Sequence, residues 1–235
     1  MMNTYEELRR EVWKANLLLS EHRLALFTWG NVSGYDPDAG VVAIKPSGVP
    51  YDALTPEDIV VVSLEGEKVW GSLKPSSDTP THLVLYREFP GLRGVTHTHA
   101  PFSVSWAQAG VDVPLYGTTH ADHCVGPVPC TPYLSEGEVQ EAYEEETGRL
   151  IVRTFKARGV QPLHTPMVLV AGHGPFTWGS SPEESVRHAV ILEEICKMAL
   201  WTRMTNPEVS SLPSYIARKH WERKHGPHAY YGQGS

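Results

Sequence analysis

The hydrophobic pattern of the chain predicts a helix followed by several strands. Over residues 4–21, Leu8, Val12, Ala15 and Leu19 stand three or four positions apart, which places them on one face of a helix. Three segments follow that are rich in β-branched and aromatic residues and are separated by glycine and proline: "LALFTWGNVSGYD", "GVVAIKPSG" and "DIVVVSLEGEKVWG". This composition is typical of strands.

The segment "PSSDTPTHLVLYREFPG" predicts a second helix. Asp78 stands at its N-cap, Pro80 lies in its first turn, and Pro90 follows its end, which is where these residue types favour helix boundaries. A strand with the sequence "GVTHTH" comes next, and a short helix is predicted over residues 101–109.

Two longer helices are predicted nearer the C-terminus. Ser135 and Glu138 form a capping-box pattern ahead of a helix that Gly159 ends, and Ser181 with Pro182 begins the longest helix. Between them, "PMVLVAGHG" predicts a buried strand that ends in a glycine-rich turn. A last helix is predicted over residues 213–225.

Length and composition favour one domain. The chain has 235 residues, of which 41% are hydrophobic, enough to bury a sizeable core. No internal repeat, low-complexity tract or linker divides it, so we expect a single α/β domain over residues 1–235.

Charge excludes several function classes. A net charge of −7 gives no electrostatic basis for binding nucleic acid or an anionic membrane. No run of 18 apolar residues occurs, and the N-terminus "MMNTYEELRREVWK" is charged, so neither a membrane span nor a secretory signal is predicted. Three cysteines without C-x-x-C spacing fit a reducing compartment, and we expect a cytoplasmic protein.

The stretch "GVTHTHAP" places His97 and His99 two positions apart. On a strand, alternate side chains share a face, so both imidazoles can reach one ion. Val95 and Thr96 favour a strand, and Pro101 is expected after its end. Taken alone, a His-x-His pair is more often two half-exposed histidines at a strand end.

Two further residues are candidate ligands. His173 follows an apolar strand and has a glycine on each side, which permits unusual backbone angles and close approach of a ligand. Asp78 is the other, with an ordinary N-cap as its alternative role. Three imidazoles and at most one carboxylate suit zinc or another borderline divalent ion, with a position left for water or a substrate oxygen.

The segment "THADHCVGPVPC" carries its own polar residues. A second zinc site from His120, His123, Cys124 and Cys130 is disfavoured, because no pair has the spacing of known zinc modules. Asp122 is a candidate acid/base group, with a turn residue as the alternative.

Several short turns are candidates for binding an anion. A turn after a strand, a helix N-terminus with free backbone N–H groups, and a Gly-Asn turn all present suitable donors. The residues concerned are Lys45, Ser47, Gly48, Ser76, Ser77, Gly30 and Asn31. Neither G-x-x-x-x-G-K-[ST] nor G-x-G-x-x-G is present, so nucleotide phosphates and nicotinamide cofactors are disfavoured.

The tail "KHGPHAYYGQGS" is polar and rich in glycine, yet it contains two adjacent tyrosines. Such a terminus is usually frayed. The aromatic pair indicates instead that residues 226–235 dock against another surface.

Taken together, these motifs resemble the class II aldolase/adducin family, and within it the sugar-phosphate epimerases. The resemblance runs in order from residue 5 to residue 233 through "LTPEDIVVVS", "KPSSDTPTH", "VTHTHAPFSVSWAQAG", "GTTHADH", "AGHGPFTWG" and "KHGPHAYYGQ". It implies a single α/β domain with a central, mostly antiparallel sheet flanked by helices. It also implies a zinc-dependent cytoplasmic homotetramer with active sites between subunits.

The resemblance further implies roles for individual residues. The zinc ligands would be Asp78, His97, His99 and His173. A substrate phosphate would be held by Ser47, Gly48, Ser76 and Ser77 with help from Lys45, and Gly30 and Asn31 would line the substrate. Asp122 would be one acid/base group, and Tyr231 from a neighbouring subunit would be the other. No role is assigned to His220 or to residues 144–146.

The activity implied is inversion at carbon 4 of a ketopentose phosphate, which interconverts L-ribulose 5-phosphate and D-xylulose 5-phosphate. The substrate's origin in arabinose or in ascorbate breakdown is left open. Alternatives are a metal-dependent sugar-phosphate aldolase, which would release the two fragments, and a non-catalytic adducin-like scaffold. A His-x-His oxygenase fits less well, because it would require iron and a carboxylate in a facial ligand set.

Overall fold

The computed structural model describes residues 5–226 and 229–230 of the chain. The strands are β1 (Asn31–Asp36), β2 (Val41–Ile44), β3 (Val60–Ser63), β4 (Lys68–Trp70), β5 (Gly94–His97), β6 (Met167–Val170) and β7 (Gly174–Gly179). The helices are α1 (Glu6–Glu21), α2 (Thr79–Glu88), α3 (Pro101–Ala109), α4 (Thr118–Ala121), α5 (Glu136–Arg158), α6 (Pro182–Thr205) and α7 (Ser214–His225).

All seven strands belong to one sheet, in the order β4-β3-β2-β1-β5-β7-β6. Every neighbouring pair is antiparallel. The expected α/β fold with an antiparallel sheet flanked by helices is therefore confirmed.

Alternation along the strands separates two apolar layers. Val42, Val60 and Val62 pack toward α2 and α5. Val41, Ala43 and Val61 point the other way and pack with Val12 of α1. The sheet is thus covered on both faces, which explains why its strands are apolar runs with little polar alternation.

The sequence pattern misses β7. Gly174, Pro175 and Gly179 are turn-like residues, yet this segment pairs with β5 on one side and β6 on the other. Phe176 and Trp178 supply the compensating burial, since both are fully covered in the core. The one-turn helix α4 is also absent from the prediction.

Two predicted boundaries are wrong. Residues 24–30, the first part of the predicted strand segment, do not extend β1, because Phe27 adopts a positive φ angle that turns the chain before Asn31. Strand β5 ends at His97, so His99 lies two residues beyond the strand. By contrast, the predicted capping box at Ser135 and the glycine end at Gly159 are confirmed, although α5 is kinked at Ala142.

Within the described residues, no helix combines the length and the apolar character that a bilayer crossing requires.

Candidate metal and substrate site

Polar residues converge where β1 begins, β5 ends and β7 begins. Asn31 is the register partner of His97, which in turn is the partner of Phe176. Antiparallel neighbours bring the start of one strand beside the end of the next. The sheet therefore gathers these side chains at one edge.

Three imidazoles form a cluster at this edge. The ligand atoms of His97, His99 and His173 all lie within 4.8 Å of one another. The Nε2 atoms of His97 and His99 are 3.0 Å apart. His97 is 1% exposed and stacks on Phe176 with ring centroids 4.4 Å apart, so the cluster has one rigid, buried member.

The hydrogen bonds of His97 determine which nitrogen faces the cluster. Its Nδ1 lies 2.9 Å from the carbonyl oxygen of Pro175, which can only accept, so Nδ1 carries the hydrogen. The lone pair of Nε2 therefore points toward His99. Desolvation, reinforced by His97, lowers the pKa of His99 to about 4 and lowers the pKa of His173. Neutral imidazoles converging in this way can hold a divalent cation.

Asp78 lies beside the cluster but outside the set of three. It occupies the N-cap position of α2, yet its side chain forms no capping hydrogen bond, contrary to the predicted cap. Asn31 Nδ2 instead donates to Asp78 Oδ2 at 2.7 Å and to Ser76 Oγ at 3.0 Å. Burial acts to raise the pKa of Asp78, but His97, His82 and the Asn31 hydrogen bond outweigh it and lower the pKa.

One cavity of about 410 Å³ joins this cluster to the predicted anion-binding turns. His99, His173 and Asp78 line one part of it, whereas His97 is buried and does not line it. The remaining predicted residues in its wall are Gly30, Asn31, Lys45, Ser47, Gly48, Ser76 and Ser77.

The anion-binding turns are tied together by backbone hydrogen bonds. The N–H of Ser47 donates to the carbonyl of Lys74, and the N–H of Ser76 donates to the carbonyl of Lys45, each at 3.0 Å. Ser76 and Ser77 immediately precede α2, where the helix dipole favours negative charge. Two separate loops thus form one continuous wall.

Lys45 is the cation in that wall. It is 1% exposed, and burial lowers its pKa to about 8. Its Nζ lies 4.9 Å from the centre of the Tyr51 ring and 3.4 Å from the carbonyl oxygen of Pro46. Because these contacts compensate desolvation poorly, an incoming anion would stabilise its charged form.

Gly30 is required by the geometry of the site. Its φ is +76°, and an added Cβ would lie 2.8 Å from the carbonyl oxygen of His97. Any other residue would strain the turn and displace the backbone that carries the buried histidine.

Sequence reasoning missed several residues in the cavity wall: Thr28, Trp29, Pro46, Tyr143 and Glu144. The Tyr143 hydroxyl lies 3.5 Å from His173 Nδ1. The kink at Ala142, with φ −160° and ψ 71°, immediately precedes Tyr143 and Glu144 in the chain. Helical periodicity gives no signal for such a kink, whereas the three glutamates that follow Tyr143 mark the segment as unusually acidic.

Asp122 does not line this cavity. It is 7% exposed and accepts two hydrogen bonds from Arg223, at 2.6 and 3.0 Å. His220 Nδ1 lies 3.0 Å from Asp122 Oδ1. Burial acts to raise its pKa, but these partners outweigh it and lower the pKa. In the described chain Asp122 anchors α7, and its acid/base role stays a prediction, as does that of Tyr231, which lies outside the described residues.

The alternative zinc site around His120 is not formed. Among residues 5–226 and 229–230, the cluster of three or more candidate ligands is the one at His97, His99 and His173. Cys124 and Cys130 are buried, and burial raises the pKa of both thiols. They are part of the apolar core around β6 and α6.

Comparison with known proteins agrees with this geometry. Residues 10–200 match the family model of the class II aldolase and adducin N-terminal domain. The chain belongs to the class II aldolase and adducin family. Class II aldolases depend on a divalent metal, and the histidine cluster can bind one.

Solved structures share the fold of this class II aldolase domain. An L-fuculose 1-phosphate aldolase superposes with a TM-score of 0.77 at 22% identity, covering 92% of this chain and 95% of that one. YgbL of Klebsiella pneumoniae, for which aldolase, epimerase or decarboxylase activity is suggested, gives 0.72 at 25% identity, covering 92% and 98%. The L-fuculose-1-phosphate aldolase of Thermus thermophilus gives 0.64 at 24% identity, covering 87% and 98%.

Proposed function

We propose that the protein is a zinc-dependent L-ribulose-5-phosphate 4-epimerase. The observation that carries the proposal is one cavity in which His99 and His173, two members of the three-histidine cluster, face two hydrogen-bonded turns that would bind an anion. Such a cavity suits a small substrate with a metal-binding diol or carbonyl at one end and a phosphate at the other.

The donor set fits a divalent cation. His97, His99 and His173 would hold the ion with Asp78, giving three imidazoles and one carboxylate, a set that suits zinc. When bound, the ion supplies positive charge that stabilises an enediolate. His97 would be the fixed ligand because Pro175 and Phe176 hold its ring.

The anion-binding wall would hold the substrate phosphate. Gly48 and Ser77 offer backbone N–H donors, Ser47, Ser76 and Ser77 offer hydroxyl donors, and Lys45 offers a charge. Gly30 and Asn31 would line the middle of the substrate. A phosphate fixed in this way keeps the distal fragment in the cavity while the rest of the molecule reacts.

The proposed reaction breaks and re-forms one carbon–carbon bond. A base removes the proton of the C4 hydroxyl, the C3–C4 bond breaks, and its electron pair passes into the enediolate of dihydroxyacetone, leaving glycolaldehyde phosphate. The aldehyde rotates and presents its other face, the bond re-forms, and an acid returns a proton to the C4 oxygen. Carbon 4 is then inverted with no net change in atoms or electrons.

Asp122 and Tyr231 are the proposed acid/base pair. Inversion needs proton transfer on both faces of the aldehyde, so the two groups must approach from opposite sides. Asp122 binds α7, which leads into the tail that carries Tyr231. We propose that this tail reaches a neighbouring subunit in a homotetramer. Exposed Trp201 and Met204 on α6, 52% and 72% accessible, support burial in such an assembly.

A product assay tests the proposal. Purified protein with added zinc is incubated with L-ribulose 5-phosphate, and the products are resolved. We expect D-xylulose 5-phosphate, and no conversion after chelation. A protein that leaves the substrate unchanged in the presence of zinc would contradict the proposal.

A second candidate is a sugar-phosphate aldolase. It is supported by the likeness in fold to an L-fuculose 1-phosphate aldolase. Release of free glycolaldehyde phosphate in the same assay would favour this activity, because an aldolase lets the fragment leave where an epimerase retains it.

A further inference from the structure

A polar ladder connects α2 to β1 beneath the cavity. Residues four apart on α2 face residues two apart on β1, because these spacings keep each set on one side of its element. Asp78 contacts Asn31, and His82 and Tyr86 both contact Ser33. Tyr86 also contacts Tyr35.

His82 is the unexplained member of this ladder. Its side chain is fully buried, and its Nδ1 lies 2.7 Å from Ser33 Oγ, which in turn lies 2.8 Å from Tyr86 Oη. Its Nε2 has no hydrogen-bond partner among the described residues, and neither has the buried Oδ1 of Asn31. Buried polar atoms are nearly always paired, so these two mark a place where a group belongs.

The surroundings of His82 determine its tautomer. The ring is fully buried, an environment that favours a neutral imidazole carrying one hydrogen. Asp78 lies one helical turn away, and its charge acts on His82. A carboxylate favours an N–H toward itself over a lone pair. With the hydrogen on Nε2, Nδ1 can accept from the Ser33 hydroxyl, and the Ser33 oxygen can accept from Tyr86.

We propose that His82 is a positioning residue for Asp78: its buried Nε2–H, through one buried water, fixes the orientation of the Asp78 carboxylate. This inference rests on the proposed role of Asp78 as a metal ligand. The partner that holds a ligand in place affects metal affinity by roughly 10–100-fold.

Metal affinity of matched variants tests the proposal without reference to turnover. Glutamine places an amide where histidine has Nε2, whereas asparagine places one where histidine has Nδ1. Zinc dissociation constants are measured by chelator competition for wild type, His82→Gln, His82→Asn and the control Tyr86→Phe. We expect His82→Gln and Tyr86→Phe to stay within about threefold of wild type, and His82→Asn to weaken binding roughly 10–100-fold.

Two further measurements separate positioning from packing. In an Asp78→Ala background the difference between the glutamine and asparagine variants should disappear, because no side-chain acceptor remains at position 78. Nitrogen-15 NMR of the metal-free protein should show the hydrogen of His82 on Nε2. Equal affinities of His82→Gln and His82→Asn, or a hydrogen on Nδ1, would overturn the proposal.

The product assay with L-ribulose 5-phosphate, and not the His82 comparison, would show whether the epimerase assignment fails. A wild-type protein that binds zinc but converts no L-ribulose 5-phosphate leaves the His82 comparison fully readable. A wild-type protein that binds no zinc would overturn the ligand role of Asp78 and this inference together.

Discussion

Asn31 Nδ2 lies 2.7 Å from Asp78 Oδ2 and joins the start of β1 to the start of α2. The same amide reaches Ser76 Oγ at 3.0 Å. One side chain therefore connects the proposed metal-binding part of the cavity to its proposed anion-binding part.

Replacing Asn31 with alanine should weaken both functions of the cavity. Asp78 would lose a donor and Ser76 would lose its orienting partner, so we expect zinc affinity to fall roughly 10-fold or more and KM for the sugar phosphate to rise. Ser76→Ala is the matched control, since it removes only the second contact and should raise KM with zinc affinity retained. If the two variants reduced zinc affinity equally, the assignment of the Asp78 contact to zinc binding and of the Ser76 contact to substrate binding would be wrong.

Zinc should stabilise the folded protein. An ion bound by the folded state alone, at 100 times its dissociation constant, adds about 2.7 kcal/mol. We expect chelator to lower the melting temperature and zinc to restore it. His97→Asn, which removes the buried ligand, should show a much smaller shift. A zinc effect of equal size in that variant would exclude His97 from the site.

Substrate affinity should decrease in alkaline solution because of Lys45. Its folded pKa is lowered to about 8, so the ammonium is charged below that pH and neutral above it. We expect KM for L-ribulose 5-phosphate to rise as the pH increases past about 8. Lys45→Met should bind the substrate weakly, and its KM should not rise in this pH range. If the KM of Lys45→Met still rises past about pH 8, a group other than Lys45 causes the rise.

Asp122→Asn should lower turnover roughly 10²–10⁴-fold if Asp122 is an acid/base group. The substitution also weakens the anchor of α7, so Arg223→Gln is measured beside it. Arg223→Gln disturbs the same ion pair and leaves the carboxylate in place. Similar losses in the two variants would mean that Asp122 acts only by holding α7.

Tyr231→Phe should lower turnover and leave metal content unchanged, because only a phenolic proton is removed. Tyr230→Phe is the natural comparison, since the Tyr230 ring is 64% exposed and lies 5.2 Å from Lys219 Nζ. Wild-type activity in Tyr231→Phe would remove this tyrosine from the mechanism.

The sequence predicts residues whose signal is local, and misses those that depend on packing. The capping box at Ser135 and the paired spacing of His97 and His99 are readable because a few neighbouring residues determine them. Strand β7 escapes because its glycines and proline indicate a turn, while pairing with β5 and β6 overrides that preference. Tyr143 reaches the cavity only through the kink at Ala142, which periodicity cannot reveal.

Asp78 shows both what the sequence predicts and what only packing determines. Its position at the helix start follows from sequence, but the redirection of its carboxylate to Asn31 depends on β1 lying beside α2. The convergence of the proposed ligands His97, His99 and His173 requires β5 to pair with β7 in one register, which no short motif encodes.

The pairing of Asn31 with His97 and of His97 with Phe176 also has an evolutionary consequence. Sliding β5 by one position would turn His97 to the opposite side of the sheet, and sliding β1 or β7 would do the same to Asn31 or Phe176. Natural selection on activity therefore acts on strand alignment as well, and insertions or deletions in this lineage should be confined to the loops between strands.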